Sequence, residues 1–534
     1  MLDLVIENGL VADGTGAPAR RADVGVQEGR IAEVGNLSAT SAARRVDAAG
    51  LLVAPGFVDI HTHSDYTLLA DPLADSSVRQ GVTTEVIGNC GHSAAPLRDE
   101  RLLPWLVIAH TPEVPVEWRS FDEYLTRLGR NGLGINVAPL VGLGTVRAAV
   151  LGFDDRPATD SEMDQMRRLV EESLEAGAFG LSSGLEYAPG SNASRQELLE
   201  LCRLAVRTNG LYATHVRNRD ERFLEGFTEA LETARRAGVR LQVSHVTPKF
   251  GAPNGAADET LRLFRRWRNA GVDVAMDVML YSWCPTTLAA ILPPWAFEGG
   301  IGAALRRLAD PEDRERIKRY ERPIWKLVTA GRWDRIRLLR SEARPDLVGK
   351  SFAEIGDALR LDPHEAALNL LLAEGEGLYN VWMLGKILEE DDIFQMVEDE
   401  YCAICSDGMS ISPTGITAGL GWGPRCYGWT AMALRVLVRE RSLMSVEEAI
   451  RRMTSLPAER IGLKDRGRIA PGFFADLVVL NPETVTDRGD YTDPAHHPVG
   501  IEYVLVNGEV VVDGGRHTGK KPGRVLRRGA RRRE

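Results

Sequence analysis

Cysteine is scarce in this sequence, because the chain of 534 residues contains only six. Their spacing does not form a disulfide framework, so we expect reduced thiols. Cys402 and Cys405 form a C-x-x-C pair, but no second pair accompanies them to complete a structural zinc site. We therefore predict that these two cysteines are buried apolar fillers.

Long apolar runs and clustered positive charge are also missing. No segment reaches about 18 apolar residues without a charge, and the first residues, MLDLVIENG, lack the basic region of a secretory signal. We therefore expect a cytoplasmic protein that does not bind a membrane. The formal net charge of −10 argues against nucleic acid as a partner. The basic run 524–533 is expected to be a solvated tail, disordered over 525–534, and the oligomeric state stays open.

The two ends of the chain have the same texture of short, alternating strands and tight turns. Asn8-Gly9 near the start and Asn507-Gly508 near the end are both hairpin signals. We predict that residues 1–53 and 462–524 together build one small β-sandwich domain.

The centre of the chain alternates apolar strands with amphipathic helical stretches, the pattern of α/β units with parallel strands. The predicted strands are 51–60, 82–88, 135–142, 178–184, 211–215, 239–245, 272–279 and 401–406. Eight such units predict a (β/α)8 TIM-type barrel, formed by 54–284 and 351–461. The long gap before the eighth strand predicts an inserted lid subdomain over 285–350, because so long an excursion in a compact domain is usually functional.

The carboxyl ends of these strands carry the residues that most suggest chemistry. They are His61 and His63 on the first strand, Cys90 after the second, His215 on the fifth, His245 on the sixth and Asp407 on the eighth. In such a barrel the active site lies at this end of the strands. A single histidine at a strand end is usually structural, but six such residues at one level predict a metal site.

The ligand types favour zinc, because neutral imidazole and thiolate both suit that ion. Cys90, His215 and His245 are predicted to form a tight site with one position open for water. His61 and His63 are predicted to form a second, weaker site or to support the first. Bound zinc lowers the pKa of water to ~7. Asp407 is predicted to accept the proton of that water and to pass it to a departing nitrogen.

These residues resemble the metal-site pattern of the amidohydrolase superfamily, and further motifs resemble its D-aminoacylase (N-acyl-D-amino-acid deacylase) branch. The motifs are GNCG around Cys90, SSGLEYAPG at 182–190, ILPPWA at 291–296 and SDG at 406–408. Many members of the superfamily bridge two metals with a carbamylated lysine on the fourth strand. Here the first lysine of the chain is Lys249, after the sixth strand. The resemblance implies that Cys90 replaces that lysine, with Glu186 as a weaker alternative.

The resemblance also implies a substrate-binding group. Arg425, in GPRCYG, is expected to grip a substrate carboxylate. Lys249, Tyr187 and Tyr281 are expected to assist. The segment DVMLYSWCPTT at 277–287 departs from the family's Tyr-Pro-Tyr-Thr type of sequence, as does the spacing of SHVTPKFG, so a bulkier or more apolar substrate is conceivable.

We therefore predict a zinc-dependent hydrolase of a linear amide, with a small-molecule substrate of the N-acyl-D-amino-acid class. Hydrolysis of a cyclic amide, of the hydantoin or imide type, or of a dipeptide is the alternative on the same metal site. Two other hypotheses have less support. Gly180-Leu-Ser182-Ser-Gly184 matches the G-x-S-x-G pattern of serine hydrolases. A catalytically silent relative is the remaining one, although such proteins usually lose the ligands that this chain keeps.

Overall fold

The computed structural model describes residues 1–111, 113–420 and 422–529. These residues form a mixed α/β fold, in which central parallel strands alternate with helices and both terminal segments build further sheets. The predicted α/β class is confirmed. None of the helices in these ranges has the length and apolar character needed to span a membrane.

Both ends of the chain contribute to one β-rich unit. Its four-stranded sheet has the order Arg30–Gly35, Asp23–Gln27, Leu2–Glu7 and Ala42–Asp47. Its seven-stranded sheet has the order Arg516–His517, Glu509–Asp513, Ile501–Val506, Leu477–Leu480, Leu52–Pro55, Leu10–Val11 and Arg20–Arg21. Ile6, Val53 and Leu477 belong to one apolar cluster, so side chains from both ends of the sequence share a core.

The central strands are parallel and follow each other in sequence order. They are Phe57–Asp59, Val82–Ile87, Asn136–Pro139, Val141–Gly142, Gly180–Gly184, Leu211–His215, Arg240–Val243, Val274–Val278 and Cys402–Ile404. The predicted third strand is interrupted at Leu140, whose amide donates to the carbonyl of Ile87. Beyond the strand ends, Thr62 forms a parallel bridge with Gly408, which joins the first strand to the last.

The predicted first strand, 51–60, is in fact two strands that belong to different sheets. Leu52–Pro55 pairs with Leu477–Leu480 in the terminal sheet, and Phe57–Asp59 pairs with Val82–Ile87. The change occurs at Gly56, where a Cβ atom would lie 2.2 Å from the side chain of Thr83. The glycine therefore allows the chain to pass close against the second strand as it leaves one sheet for the other.

The helices run between the strands and pack an apolar face on them. The longer ones are Phe121–Gly129, Leu143–Leu151, Asp160–Glu175, Arg195–Arg207, Phe223–Ala237, Ala256–Asn269, Ile301–Ala309, Pro311–Lys318, Phe352–Leu359, Pro363–Glu374, Glu390–Val397, Arg425–Ala433 and Val446–Met453. Asp160–Glu175 begins at a capping box, in which Thr159 and Glu162 satisfy each other's backbone amides.

The excursion between the central strands Val274–Val278 and Cys402–Ile404 contains its own antiparallel sheet. Its strands, in spatial order, are Trp283–Thr287, Trp382–Lys386 and Ile336–Arg340. The predicted boundary of the insertion at residue 350 is therefore too early, because the middle strand of this sheet lies beyond it. Sequence alone could not reveal this pairing, because it joins segments almost a hundred residues apart.

The first residues of the tail, which was predicted to be disordered, are hydrogen-bonded to the rest of the protein. Val525 forms a parallel bridge with Val137, and the amides of Leu526 and Arg528 donate to the carbonyls of Val137 and Gly177. The chain therefore runs along the third central strand at Val525 and Leu526 and then contacts Gly177 through Arg528. Residues 530–534 of the predicted tail lie outside the described residues.

Candidate metal centre and active site

The carboxyl ends of the central strands bring a thiol into contact with three imidazoles. Cys90 Sγ lies 3.3 Å from His61 Nε2, 3.4 Å from His245 Nε2 and 3.8 Å from His215 Nδ1. Each of the four side chains is at most 5% exposed. Four segments that are distant in sequence thus supply one compact cluster of soft ligands.

Three residues of the site have an unusual backbone conformation. Cys90, His245 and Asp407 adopt φ values of 51°, 34° and 47°. Residues with a Cβ atom rarely take this left-handed region, and such strain is concentrated at functional sites. In each case the turn follows directly from a strand and directs the side chain toward the cluster.

The imidazoles control the ionisation of the thiol. Burial alone would raise the pKa of Cys90, but the charge of His61 and the hydrogen bond with His245 outweigh it and hold the pKa well below the ordinary value for a thiol. The thiolate is the form that binds metal. For His245, burial lowers the pKa to about 4, so its ring is neutral at pH 7 and has a lone pair available.

Two groups of side chains within the described ranges have ligand atoms within 4.8 Å of one another. They are His61, Cys90 and His245, and His61, His63 and Asp407. His61 belongs to both groups, whereas the sequence assigned it to a second, weaker site or to the support of the first. His215, predicted in the tight site, approaches the thiol at the longer distance of 3.8 Å.

The donor set and its unsatisfied atoms fit a zinc ion. Thiolate and imidazole are the ligands that zinc prefers. The Nδ1 atoms of His63 and His245 are buried without a hydrogen-bond partner among the described residues. Asp277, which the sequence analysis passed over, lies 3.3 Å from His61 Nδ1 and accepts a 2.7 Å hydrogen bond from the amide of His245. It therefore helps to orient two ligands.

Glu186 lies behind the ligands rather than between them. Its carboxylate is 2.6 Å from His215 Nε2 and accepts hydrogen bonds of 2.6 and 2.8 Å from Lys249 Nζ. Burial opposes its ionisation, but Lys249 and His215 lower the pKa of Glu186 to about 2. A carboxylate at Nε2 keeps the proton on that nitrogen and leaves the Nδ1 of His215 free to face Cys90. In the structure Glu186 is thus a support for a ligand.

Asp407 lies at the edge of the cluster, with 13% of its side chain exposed. Its Oδ1 is 3.3 Å from His63 Nε2, and its Oδ2 is 3.2 Å from Arg425 Nη1. Burial would raise the pKa of Asp407, but His63, His61 and the other nearby cations lower it below its ordinary value. The aspartate is therefore ionised and ready to accept a proton.

The structure places Arg425, the predicted carboxylate-binding arginine, outside the cavity lining. Arg425 is fully buried, and its Nη2 donates to the carbonyl of Trp283. Neither Arg425 nor Tyr281 is among the described residues that line the cavity, and Met279, which does line it, contacts Arg425 Nη1 through its sulfur at 2.9 Å. The altered segment at 277–287 thus puts a thioether between the guanidinium and the cavity.

The cavity in front of the ligands has a volume of about 320 Å³. Tyr187 and Lys249, both predicted at the substrate, do line it. One wall is aromatic: the rings of Trp105 and Tyr379 are 4.4 Å apart, and that of Phe297 lies 5.4 Å from Tyr379. Trp105 lies in the short helix Leu103–Leu106 after the second strand, and the other two rings lie in the insertion, so no local sequence pattern could have brought them together.

The serine of the G-x-S-x-G motif is not exposed to the cavity. Ser182 is fully buried, donates to the carbonyl of Gly88 and accepts a 3.0 Å hydrogen bond from the amide of Gly91. It therefore ties the strand Gly180–Gly184 to the loop that carries Cys90. The cysteines of the C-x-x-C pair are buried thiols, as predicted.

Comparison with known proteins agrees with this geometry. A model of the amidohydrolase family matches residues 44–307 and 422–512. The chain belongs to the amidohydrolase family. As a member of it, the chain is an enzyme that hydrolyses amide C–N bonds, and the predicted resemblance to the D-aminoacylase branch is confirmed by the relatives.

This amidohydrolase is similar to three proteins in particular. The N-acyl-D-glutamate deacylase of Alcaligenes xylosoxydans xylosoxydans is 35% identical over 99% of this chain and 97% of its own length. The crystal structure of a D-aminoacylase has 32% identity and a TM-score of 0.82, covering 99% of this chain and all of its own. An N-acyl-D-glutamate deacylase from Bordetella bronchiseptica was solved with zinc and a phosphonate that mimics the tetrahedral intermediate. It has 34% identity, covers 98% of this chain and 99% of its own, and gives a TM-score of 0.81.

Proposed function

We propose that this amidohydrolase removes the acyl group from N-acyl-D-amino acids, with zinc as its metal. The observation that carries the proposal is the thiol of Cys90 within 3.8 Å of three imidazoles, beside an ionised aspartate. Relatives that share this chain from end to end are named D-aminoacylase and N-acyl-D-glutamate deacylase, and one was solved with zinc. The substrate class rests on those names.

The residues that would hold the zinc ion are Cys90, His215 and His245, with His61 and His63 available to a second, weaker ion. Zinc bound there supplies a Lewis acid that polarises the acyl carbonyl. The protein's own contribution is to keep the thiolate ionised, to keep His245 neutral and to hold His215 in the tautomer that faces the thiol. These ionisation and tautomer states are set by the protein before any substrate binds.

Asp407 is the proposed proton carrier. Its carboxylate is ionised and therefore has lone pairs free to accept the proton of the attacking water. It then gives that proton to the amine nitrogen as the C–N bond breaks. Arg425, held 3.2 Å from its carboxylate, is proposed to position Asp407 rather than to bind substrate.

The proposed architecture is a closed (β/α)8 barrel. It is supported by the sequence order of the parallel strands, by the hydrogen bond from Leu140 to Ile87 and by the bridge from Thr62 to Gly408. Residues 1–53 and 462–524 form the β-sandwich domain of this proposal. The insertion extends from 283 to 386, because its sheet spans those residues.

Hydrolysis of a cyclic amide is the second candidate, and one observation favours it. Arg425, the expected partner of an open-chain carboxylate, is bonded to Asp407 and does not line the cavity. A neutral ring needs no such partner.

The two candidates are separated by direct assay of the zinc-loaded protein. We expect turnover of N-acetyl-D-amino acids, no turnover of their L enantiomers and little of hydantoins. The Asp407→Asn variant is the control, because it keeps the size of the side chain and should bind zinc without turnover. Turnover confined to cyclic amides would replace the first candidate with the second, and turnover of L substrates alone would refute the D-specific assignment.

A further inference from the structure

A second arginine lies in the cavity wall beside the metal ligands. Arg219 follows His215 by four residues, is 3% exposed and lines the cavity. Its Nη1 donates to the carbonyls of His245 and Thr247. The guanidinium is thereby tied to the turn that carries a metal ligand, so its position relative to the site is defined.

Within the described parts of the chain, no carboxylate oxygen lies within 4.0 Å of the Arg219 guanidinium. The other buried cation of the described cavity wall, Lys249, is paired with Glu186. Arg425 behind the wall is paired with Asp407, and Arg217 nearby is paired with Glu229. Asp220 lines the cavity too, but it forms no ion pair with its neighbour. Arg219 is thus a buried arginine of the described cavity wall that makes no direct ion pair, although the charge of Glu186 is close enough to interact with it.

A buried guanidinium without a counter-ion is unfavourable, and the free energy improves when an anion arrives. The hydrogen bonds from Arg219 to protein carbonyls come from Nη1 alone. Its Nε is buried without a hydrogen-bond partner among the described residues. The Nε–Nη2 edge is one of the faces of a guanidinium that a carboxylate binds with two parallel hydrogen bonds.

We infer that Arg219, and not Arg425, binds the carboxylate of the substrate. The inference rests on the proposed function, because that carboxylate is taken to be the α-carboxylate, or an acidic side chain, of an acyl-amino acid. If Arg219 binds the carboxylate, the pairing of Arg425 with Asp407 no longer favours a cyclic substrate. Arg425 can remain paired with Asp407, because Arg219 binds the substrate carboxylate instead.

The test compares a carboxylate substrate with its neutral analogue. KM and kcat are measured for the N-acetyl-D-amino acid that is turned over fastest and for its C-terminal carboxamide. For Arg219→Gln we expect KM for the carboxylate to rise about 10- to 150-fold, the range of a charged hydrogen bond, with KM for the carboxamide unchanged. Arg219→Lys should recover part of the loss, because it keeps the charge without the fork.

Arg322→Gln is the matched control, because Arg322 lines the same cavity at its exposed mouth. We expect it to leave both KM values unchanged. If Arg219→Gln weakens both substrates equally and lowers zinc affinity, Arg219 only holds the turn of His245 and the inference is wrong. If Arg425→Gln alone selectively raises KM for the carboxylate, the clamp is Arg425 and the inference is equally wrong.

Direct binding separates this inference from the proposed function. Calorimetry with the zinc-loaded Asp407→Asn variant measures the affinity for the N-acetyl-D-amino acid without turnover, with and without Arg219→Gln. Carboxylate binding that depends on Arg219 supports the inference even if the wild-type enzyme hydrolyses none of the acyl-amino acids, a result that would refute only the proposed function. Binding that does not depend on Arg219 overturns the inference whatever the activity.

Discussion

Replacement of Glu186 by glutamine tests how the site holds its ligands. Glu186 and Lys249 form a buried ion pair, with side-chain exposures of 7% and 2% and a shortest distance of 2.6 Å. Removing one partner of a buried pair costs about 3–5 kcal/mol, because the other charge is left uncompensated. Glutamine can accept from His215 Nε2 only through one neutral oxygen, so it supports the ring less strongly than the carboxylate, and loss of such a support weakens metal binding by about 10- to 100-fold.

Two assays measure these two effects. Urea unfolding of the metal-free protein gives the change in the free energy of unfolding, and competition against a chelator gives the zinc affinity. The stability difference between wild type and Glu186→Gln should also depend on pH. Because the pKa of Glu186 falls from 4.5 to about 2 on folding, the contribution of the carboxylate is complete above pH 4.5 and disappears as the pH falls toward 2.

The double variant Glu186→Gln with Lys249→Met is the control. It removes the stranded ammonium, so it should recover much of the stability but not the zinc affinity, which depends on His215. If the double variant is as unstable as the sum of the single ones, the two residues are not coupled. If Glu186→Gln binds zinc as tightly as wild type, the support of His215 by Glu186 is refuted.

The other predictions address the ligands, the base and the cavity wall. Cys90→Ser should lose the tightly bound zinc measured by metal analysis, since a hydroxyl is a poor zinc ligand, while the apo protein stays folded by circular dichroism. Asp407→Asn should keep zinc and reduce kcat by about 10²–10⁴, and retained turnover would refute its role. Arg425→Gln should raise the pKa of Asp407, seen as a shift of the acid limb of the kcat–pH profile to higher pH, with KM for the carboxylate unchanged. Trp105→Ala should raise KM for substrates with large apolar acyl groups and leave acetyl substrates unaffected, because it opens the aromatic wall.

Much of the site could be predicted because strand ends are a local property of sequence. His61, His215 and His245 each end or directly follow an apolar run, and parallel strands bring such ends to one level. The clamp could not be predicted in the same way. Whether Arg425 reaches the cavity depends on Met279, which follows the strand Val274–Val278 and lies far from Arg425 in the sequence. The resemblance identified only the residue type.

The pairing of charged side chains was the other property that the sequence could not predict. Glu186, Lys249 and Arg219 are three charged residues spread over 64 positions, and nothing local indicates which charge is neutralised. The structure pairs the first two and leaves the third alone. This pairing decides which cation can bind a substrate carboxylate, because a cation that already has a buried counter-ion gains little from a second anion.

The sequence by itself determined the family and predicted a metal site with its candidate ligands. Those depend on residue types at the ends of apolar runs, and the absence of lysine before Lys249 required a different ligand from the start. Only the tertiary structure decided the roles around that set: Gly56 dividing the first strand, Glu186 as a support, Arg425 behind Met279 and Arg219 without a partner. These roles depend on distances between segments remote in the chain, and such distances exist only after the chain has folded.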